Sequence, residues 1–391
     1  MRGSIRKRSK DSYTVTISLG WDATAGKYRY AHRQVQGTKR DAESVLAEMV
    51  RQTETGTLSK PDKTTLSGLL NRWLEDYARP RLQPRTVESY EDIIRKHIIP
   101  SLGWIAIKDL RPDHLNHHYA QQLKTGRING KGGLGAKSVR NQHMVLHAAL
   151  DAAVKWGLLM RNVADAADPP TAASKEPRIM TVNEAKDFLV ALRESRYAPL
   201  FCLFLFSGLR RSEALALRWS DLDFEANTVS ISRSLHELRN GELVFQSTKT
   251  KAGRRLVSVP AQVMGVLAGH KTNVAFARRQ FGLPPAKDDD LVFTRLDGRP
   301  LLPATVTHAW IKLVRRLGLP GIRLHDARHT YASLMLRIGT SPKVVQELLG
   351  HAQIETTLGI YSHVLPGIKE DAVEKLGNLL PIPVNNLSIN H

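Results

Sequence analysis

Four short stretches of this sequence carry side chains that could handle a phosphate. In "FLFSGLRRSEALALRWSDLDF" an apolar run stops at Gly208, Arg210 sits in the turn, and the next helix starts with Ser212 as its expected cap and Glu213 beside its positive end. An arginine in that place can be aimed and held by the carboxylate, although alone it is more often an exposed helix-start residue. In "LHDARHTYASLM", His325 and Arg328 stand three apart and so share a helix face. A guanidinium is the group best shaped to clamp phosphate oxygens in pairs. The third stretch, "TKTKAGRRLVSVP", is a basic tip on a strand pair; such tips are often only soluble turns, yet this one could carry a flexible lysine into a groove. The fourth, "SPKVVQELLGHAQIETTLGIYSHV", opens a helix with Ser341 as cap and Pro342 at its first position, closes it with Gly350 and places His351 immediately beyond. Tyr361 follows on a short amphipathic segment with Ile354, Leu358 and Ile360.

Elements must hold these groups, and their patterning divides the chain in three. "SYTVTISLG" and "KYRYAHRQVQG", separated by "WDATAGK", alternate in the manner of a hairpin. A helix follows with Ala42, Val45, Leu46 and Met49 on one side and Gly56 as its expected stop. Arg6, Lys7, Arg8, Lys10, Lys27, Arg29 and Arg33 stud this small sheet, either as an ordinary solvated face or as a surface for a DNA groove. From Leu66 to about Val163 the pattern is wholly helical, with Pro and Gly expected to stop each run. Lys137 and Arg140 fall in the first turns of its long helix, and "KTGRINGKGGLG" reads as a mobile basic loop. After the Pro- and Ala-rich linker "AADAADPPTAASKEPR", Thr181 and Glu184 form a capping box that opens a third region. There helices surround the strand-like runs "NTVSIS", "ELVFQS" and "RRLVSVP".

Composition narrows the partner. Lys and Arg outnumber Asp and Glu by 57 to 37, a formal charge of +20, which is the electrostatic footprint of a protein that binds a polyanion. A merely basic soluble enzyme or a ribosome-associated protein is the alternative on charge alone. The single cysteine, Cys202, lies in "APLFCLFLF", so disulfides and cysteine metal clusters are excluded, and the run is too short to span a bilayer. It reads as a buried helix with Cys202 as filler. Without the apolar stretch of a secretory signal after "MRGSIRKRSK", the protein is expected in the cytoplasm.

Taken in order, as Arg, Lys, His-x-x-Arg, Gly-His and Tyr, the four stretches resemble the tyrosine recombinases, specifically phage-type and transposon-type integrases. "SGLRRSEALALRWSDLD", "LHDARHTYASLML" and "LLGHAQIETTLGIYSHV" carry the resemblance, which is strongest over residues 176–365. It implies a multidomain fold. A small β-sheet plus helix forms an N-terminal arm-type DNA-binding domain over 1–57, and an all-α core-binding domain covers 63–168. An α+β catalytic domain, mainly helical with a small sheet and ending in a tail helix, covers 176–391.

The resemblance also implies roles. Tyr361 would attack the scissile phosphorus and form a 3'-phosphotyrosine, releasing a 5'-hydroxyl, with neither ATP nor a cofactor. Arg210 and Arg328 would hold the non-bridging oxygens, His351 would add a hydrogen bond, and His325 would accept the tyrosine proton. Lys249, preferred over Lys251 by its offset from Arg255, would protonate the leaving oxygen, and Glu213 would support the arginine site. Tyr331, further along the helix of Arg328, should turn away and pack. "KDDD" at Lys287 to Asp290 reads as a solvated loop, so no two-metal site is expected. The expected substrate is double-stranded attachment-site DNA. The amphipathic "IKEDAVEKLGNLL" could equally dock on its own domain, and it is the resemblance that implies a homotetramer assembled by tail exchange, with excisionase or DNA-bending accessory proteins as further candidate partners. A type IB topoisomerase-like relaxase and a non-catalytic DNA-binding regulator are the rival readings. No membrane partner is expected.

Overall fold

The computed structural model describes residues 3–22, 26–54, 64–172, 177–193, 195–247, 253–295, 297–354 and 357–358. The chain divides into two compact units, Met1–Ala173 and Ser174–His391. Among the described residues no helix is long and apolar enough to cross a membrane.

The first unit opens with an antiparallel meander of β1 (Gly3–Ser9), β2 (Ser12–Asp22) and β3 (Lys27–Gln36), followed by α1 (Lys39–Glu54). The expected hairpin is therefore the larger part of a three-stranded sheet, because Ile5 pairs with Val15 and adds the preceding basic segment as a strand. Val15 and Ile17 are completely buried with Ala42 and Met49 of α1, which covers one face. Asp41 accepts from the Thr38 backbone N–H at 2.7 Å and fixes the start of α1. The pleat splits the basic residues between faces: Arg6 lies opposite Thr14 on the face away from α1, whereas Arg33 lies opposite the buried Val15. Gly56 falls outside the described residues.

Next come α2 (Leu66–Trp73), α3 (Arg79–Arg81), α4 (Pro84–Ile93), α5 (Ile99–Leu102), α6 (Pro112–Thr125) and α7 (Ala136–Lys155), packed around Leu66, Trp73, Ile94, Leu146 and their neighbours. Pro80 and Pro100 do not stop their helices as the sequence led one to expect. A proline lacks the N–H and its ring collides with the carbonyl four residues back. Here a π-turn precedes each, at Leu74–Ala78 and Ile94–Ile98, and the helix carries on beyond the proline. Arg81 Nη1 then donates to the stranded Asp76 carbonyl at 3.2 Å. The core also holds a polar chain in which Ser101 meets His118 Nδ1 at 2.7 Å and His118 Nε2 meets Gln142 at 2.9 Å. Burial pushes the His118 pKa down to about 4. The Gly-rich insert is tied rather than open: Arg127 donates to the carbonyls of Gly132 and Gly133, and Leu134 to Gln122.

In the second unit the Thr181–Glu184 capping box forms as expected at the start of α8 (Val182–Leu192). It is followed by α9 (Ala198–Ser207), α10 (Arg211–Ala214), β4 (Leu222–Asp223), β5 (Thr228–Ile231), β6 (Arg233–Glu237), β7 (Leu243–Ser247) and β8 (Arg255–Ser258). Then come α11 (Ala261–Gln280), α12 (Pro303–Arg316), α13 (Asp326–Arg337) and α14 (Pro342–Leu349). The strands make two small sheets, β4-β5-β8 and β6-β7. Phe188, Phe201 and Trp310 meet at tilted and edge-to-face angles in the core, and the Trp310 indole donates to the Ile322 carbonyl at 3.1 Å. Cys202 packs half-buried against this core.

Candidate active site

Gly208 ends α9 in the left-handed conformation, φ 61°, and turns the chain sharply into α10. A Cβ there would stand 2.6 Å from the Tyr331 ring and 2.7 Å from Leu349, so only glycine fits between α13 and α14. Two residues on, Arg210 itself is the N-cap of α10, in place of the expected Ser212. The Glu213 carboxylate accepts from the Arg210 backbone N–H at 2.9 Å and from its Nη1 at 2.7 Å, which completes the capping geometry two residues earlier than expected. Glu213 also receives both terminal nitrogens of Arg255, at 3.2 and 2.9 Å. Burial works against its charge, but the guanidiniums of Arg255 and Arg210 outweigh it and hold its pKa at about 2.

Arg328 is 2% exposed and bridges two backbone carbonyls, Gly208 at 2.7 Å and Leu349 at 2.6 Å. His325 precedes α13, and its carbonyl accepts from the Arg328 N–H at 3.1 Å, so the two do sit on one turn. The His325 ring stands edge-on to His329 at 5.0 Å. Partial burial first, and the Arg328 charge second, lower its pKa. Asp326 is buried and takes the Arg323 backbone N–H and the Nε and Nη2 edge of its guanidinium.

Ser341, Pro342 and Gly350 (φ 66°) bound α14 as the sequence indicates. His351 then lies against the arginines, its backbone N–H donating to Gln346 and its Nδ1 2.9 Å from the Thr357 hydroxyl. Burial, Arg328 and Arg210 together bring its pKa down to about 4. At neutral pH the ring is uncharged. In the tautomer whose Nδ1 accepts from the Thr357 hydroxyl, Nε2 carries the proton and is a donor.

Arg210, Glu213, Arg328 and His351 are thus joined through α10, α13 and the end of α14. The last three carbonyls of that region each receive a different arginine: Leu348 from Arg255 at 2.9 Å, Leu349 from Arg328, and Gly350 from Arg210 at 3.5 Å. A helix C-terminus leaves these acceptors open and carries partial negative charge, so it attracts and orders cations. Tyr331 is buried among Leu336, Val345 and Leu349, away from solvent as expected. Lys249, Lys251, Tyr361 and the tail segment lie outside the described residues. Sequence reasoning missed two groups. Arg255 served there only as a spacing mark, although its place after a basic tip and before "LVSVP" was the available signal; Thr357 gave none. The "KDDD" loop is exposed for most of its length but not idle, since Arg218 pairs with Asp289 at 3.1 Å and Arg278 with Asp290 at 3.4 Å.

Residues 178–367 match the phage integrase family, and residues 65–123 match the phage integrase N-terminal SAM-like domain. A tyrosine recombinase XerC of Mesorhizobium japonicum is 30% identical over 76% of this chain and 91% of its own length. A tyrosine recombinase XerC-like protein of Caldanaerobacter subterraneus is 28% identical over 95% of this chain and 97% of its own. Among solved structures, the Tn1549 transposon integrase in complex with transposon right end DNA superposes with a TM-score of 0.67 at 21% identity, covering 80% of this chain and 99% of the other. The chain belongs to the phage integrase, or tyrosine recombinase, family and is a site-specific recombinase.

Proposed function

We propose that this recombinase integrates and excises a mobile element, and that its strand cleavage is carried by Tyr361, Arg210, Arg328, His351, His325 and Lys249. The observation that carries this reading is the gathering of Arg210, Arg328 and a neutral His351 about the end of α14. Tyr361 lies ten residues beyond His351 in the same stretch. Its hydroxyl oxygen attacks the phosphorus in line. The bond from phosphorus to the 5'-oxygen breaks, leaving a 3'-phosphotyrosine and a 5'-hydroxyl. The tyrosine proton passes to His325 and the departing oxygen takes one from Lys249. Arg210 and Arg328 stabilise the extra negative charge of the pentavalent transition state, and His351 Nε2 donates a further hydrogen bond. The 5'-hydroxyl of a partner duplex reverses the step, so bond energy is conserved.

DNA backbone is held by basic side chains on both parts of the first unit. Lys137 and Arg140 are exposed on one face of α7, at i and i+3, and Arg6, Lys7, Arg8, Lys27, Arg29 and Arg33 belong to the N-terminal sheet. Exchange between two duplexes needs four cleavages, which a homotetramer joined by the C-terminal segment supplies. The similarity to a transposon integrase bound to transposon end DNA supports attachment-site DNA as the substrate. A duplex nicked just beyond the cleavage site tests the chemistry, because loss of the short product traps the covalent intermediate. The full-length protein should form a denaturant-resistant complex that Tyr361→Phe abolishes; a complex that persists in that variant overturns the assignment. Recombination between two sites on one plasmid should follow, whereas relaxation alone would mark a relaxase.

A further inference from the structure

Arg255 has no role in the chemistry just described, yet all three nitrogens of its guanidinium are engaged at the site. It opens β8, opposite Ile231 of β5, and only 7% of its side chain is exposed. Its Nη1 and Nη2 meet the two oxygens of Glu213, and its Nε meets the Leu348 carbonyl at 2.9 Å. Glu213 is the carboxylate that caps and aims Arg210. Leu348 is followed by the two carbonyls that Arg328 and Arg210 hold, and then by His351. One planar fork therefore joins three separate parts of the chain: the α10 cap, the end of α14 and the strand that leaves the lysine-bearing tip.

We infer that Arg255 is a positioning residue for strand cleavage: by bridging Glu213 and the last turn of α14, it sets Arg210 and His351 in one arrangement around the phosphate. This rests on the roles assigned above to Arg210 and His351. Arg255 differs from Arg328, whose terminal nitrogens meet neutral carbonyls, in that its charge is matched by the Glu213 carboxylate, so it is assigned to the Glu213 cap and not to the phosphate. A buried Arg–Glu pair carries a desolvation cost that a well-packed apolar pair would avoid, so packing alone does not account for its presence. Lysine would keep the charge beside Glu213, but its single ammonium cannot span two carboxylate oxygens and a carbonyl in one plane.

The test compares full-length wild type, Arg255→Lys, Glu213→Gln and the double variant. It measures the single-turnover rate of covalent-complex formation on the nicked duplex, and DNA affinity by gel shift. Arg255→Lys should slow cleavage by about 10- to 100-fold, the scale of small misplacements of reacting groups, with affinity kept within about twofold. The double variant should lose less than the product of the two single losses, since both act through one unit. A wild-type rate for Arg255→Lys, losses that multiply, or a defect wholly in DNA affinity would overturn the inference. Arg255→Met, where it folds, should be slower than Arg255→Lys; an equal or faster rate would also overturn it. If wild type forms a complex that Tyr361→Phe abolishes while Arg255→Lys matches wild type, the positioning role alone falls. If wild type forms none, the cleavage reading falls with it.

Discussion

Protonation states at single residues decide much of how this site works. His351 and His329 near the arginines, and His118 in the helical core, are each held at about 4, so the fold binds them uncharged. Each would take a proton near pH 6.5 in the unfolded chain. A folded pKa below the unfolded one means that the unfolded state binds more protons between pH 6.5 and 4. Their contribution to stability is therefore complete above pH 6.5 and is lost as pH falls through that window. Glu213, held at about 2 in the fold against 4.5 ordinarily, adds to the loss in the same direction, but only towards the lower end of that window. The urea midpoint should accordingly be lower at pH 5 than at pH 7; an unchanged midpoint would mean that these rings are not desolvated as described. Arg328 offers a sharper test of chemistry. Its two nitrogens reach carbonyls on either side, Gly208 and Leu349, a span that Arg328→Lys cannot reproduce. That variant should lose on the order of 100- to 1000-fold in covalent-complex formation, the scale for removing one transition-state donor, while still binding DNA.

At the scale of elements, the site is built where three helix ends meet, and glycine makes the meeting possible. Gly208 lets α9 turn so that its carbonyl faces Arg328, with no Cβ to strike Tyr331 or Leu349. Gly208→Ala should destabilise the protein by about 1–3 kcal/mol through this overpacking and the strained φ, and should slow cleavage as well. Denaturant titration and the nicked-duplex assay would show both; unchanged stability would mean that α13 and α14 can move apart. Much of this was legible beforehand because the signals are local. Gly208 and Gly350 as stops, Ser341 and Pro342 as a start, and the i to i+3 pairing of His325 with Arg328 follow from residue type and short spacing. What could not be read depends on distant partners. The cap of α10 moved from Ser212 to Arg210 because Glu213 folds back to Arg210's own N–H. β6 escaped notice because only Leu235 of its five residues is buried, leaving no alternation to see. The helices continued past Pro80 and Pro100 because a π-turn absorbs the missing bond, a solution that no propensity scale registers.

For the whole molecule the dominant quantity is charge. A chain of formal charge +20 that meets DNA releases counterions in proportion to the phosphates it neutralises, so affinity should fall steeply and linearly on a log–log plot against salt. The arginines of the candidate site contribute little to this slope. Arg328 and Arg255 are buried and committed to protein acceptors, and Glu213 offsets part of Arg210. The slope belongs instead to exposed cations such as Lys137 and Arg140 on α7, for which no acidic partner is seen among the described residues. Lys137→Ala and Arg140→Ala should each reduce the slope by about 1 and weaken binding to specific and unrelated duplexes alike. In saturating DNA they should leave the single-turnover cleavage rate unchanged. Glu213→Gln should do the reverse, leaving the salt slope alone and lowering the rate. Measuring both quantities for these variants separates the surface that gathers DNA from the site that cuts it. A slope unchanged by Lys137→Ala and Arg140→Ala would place the DNA-binding face elsewhere on the first unit.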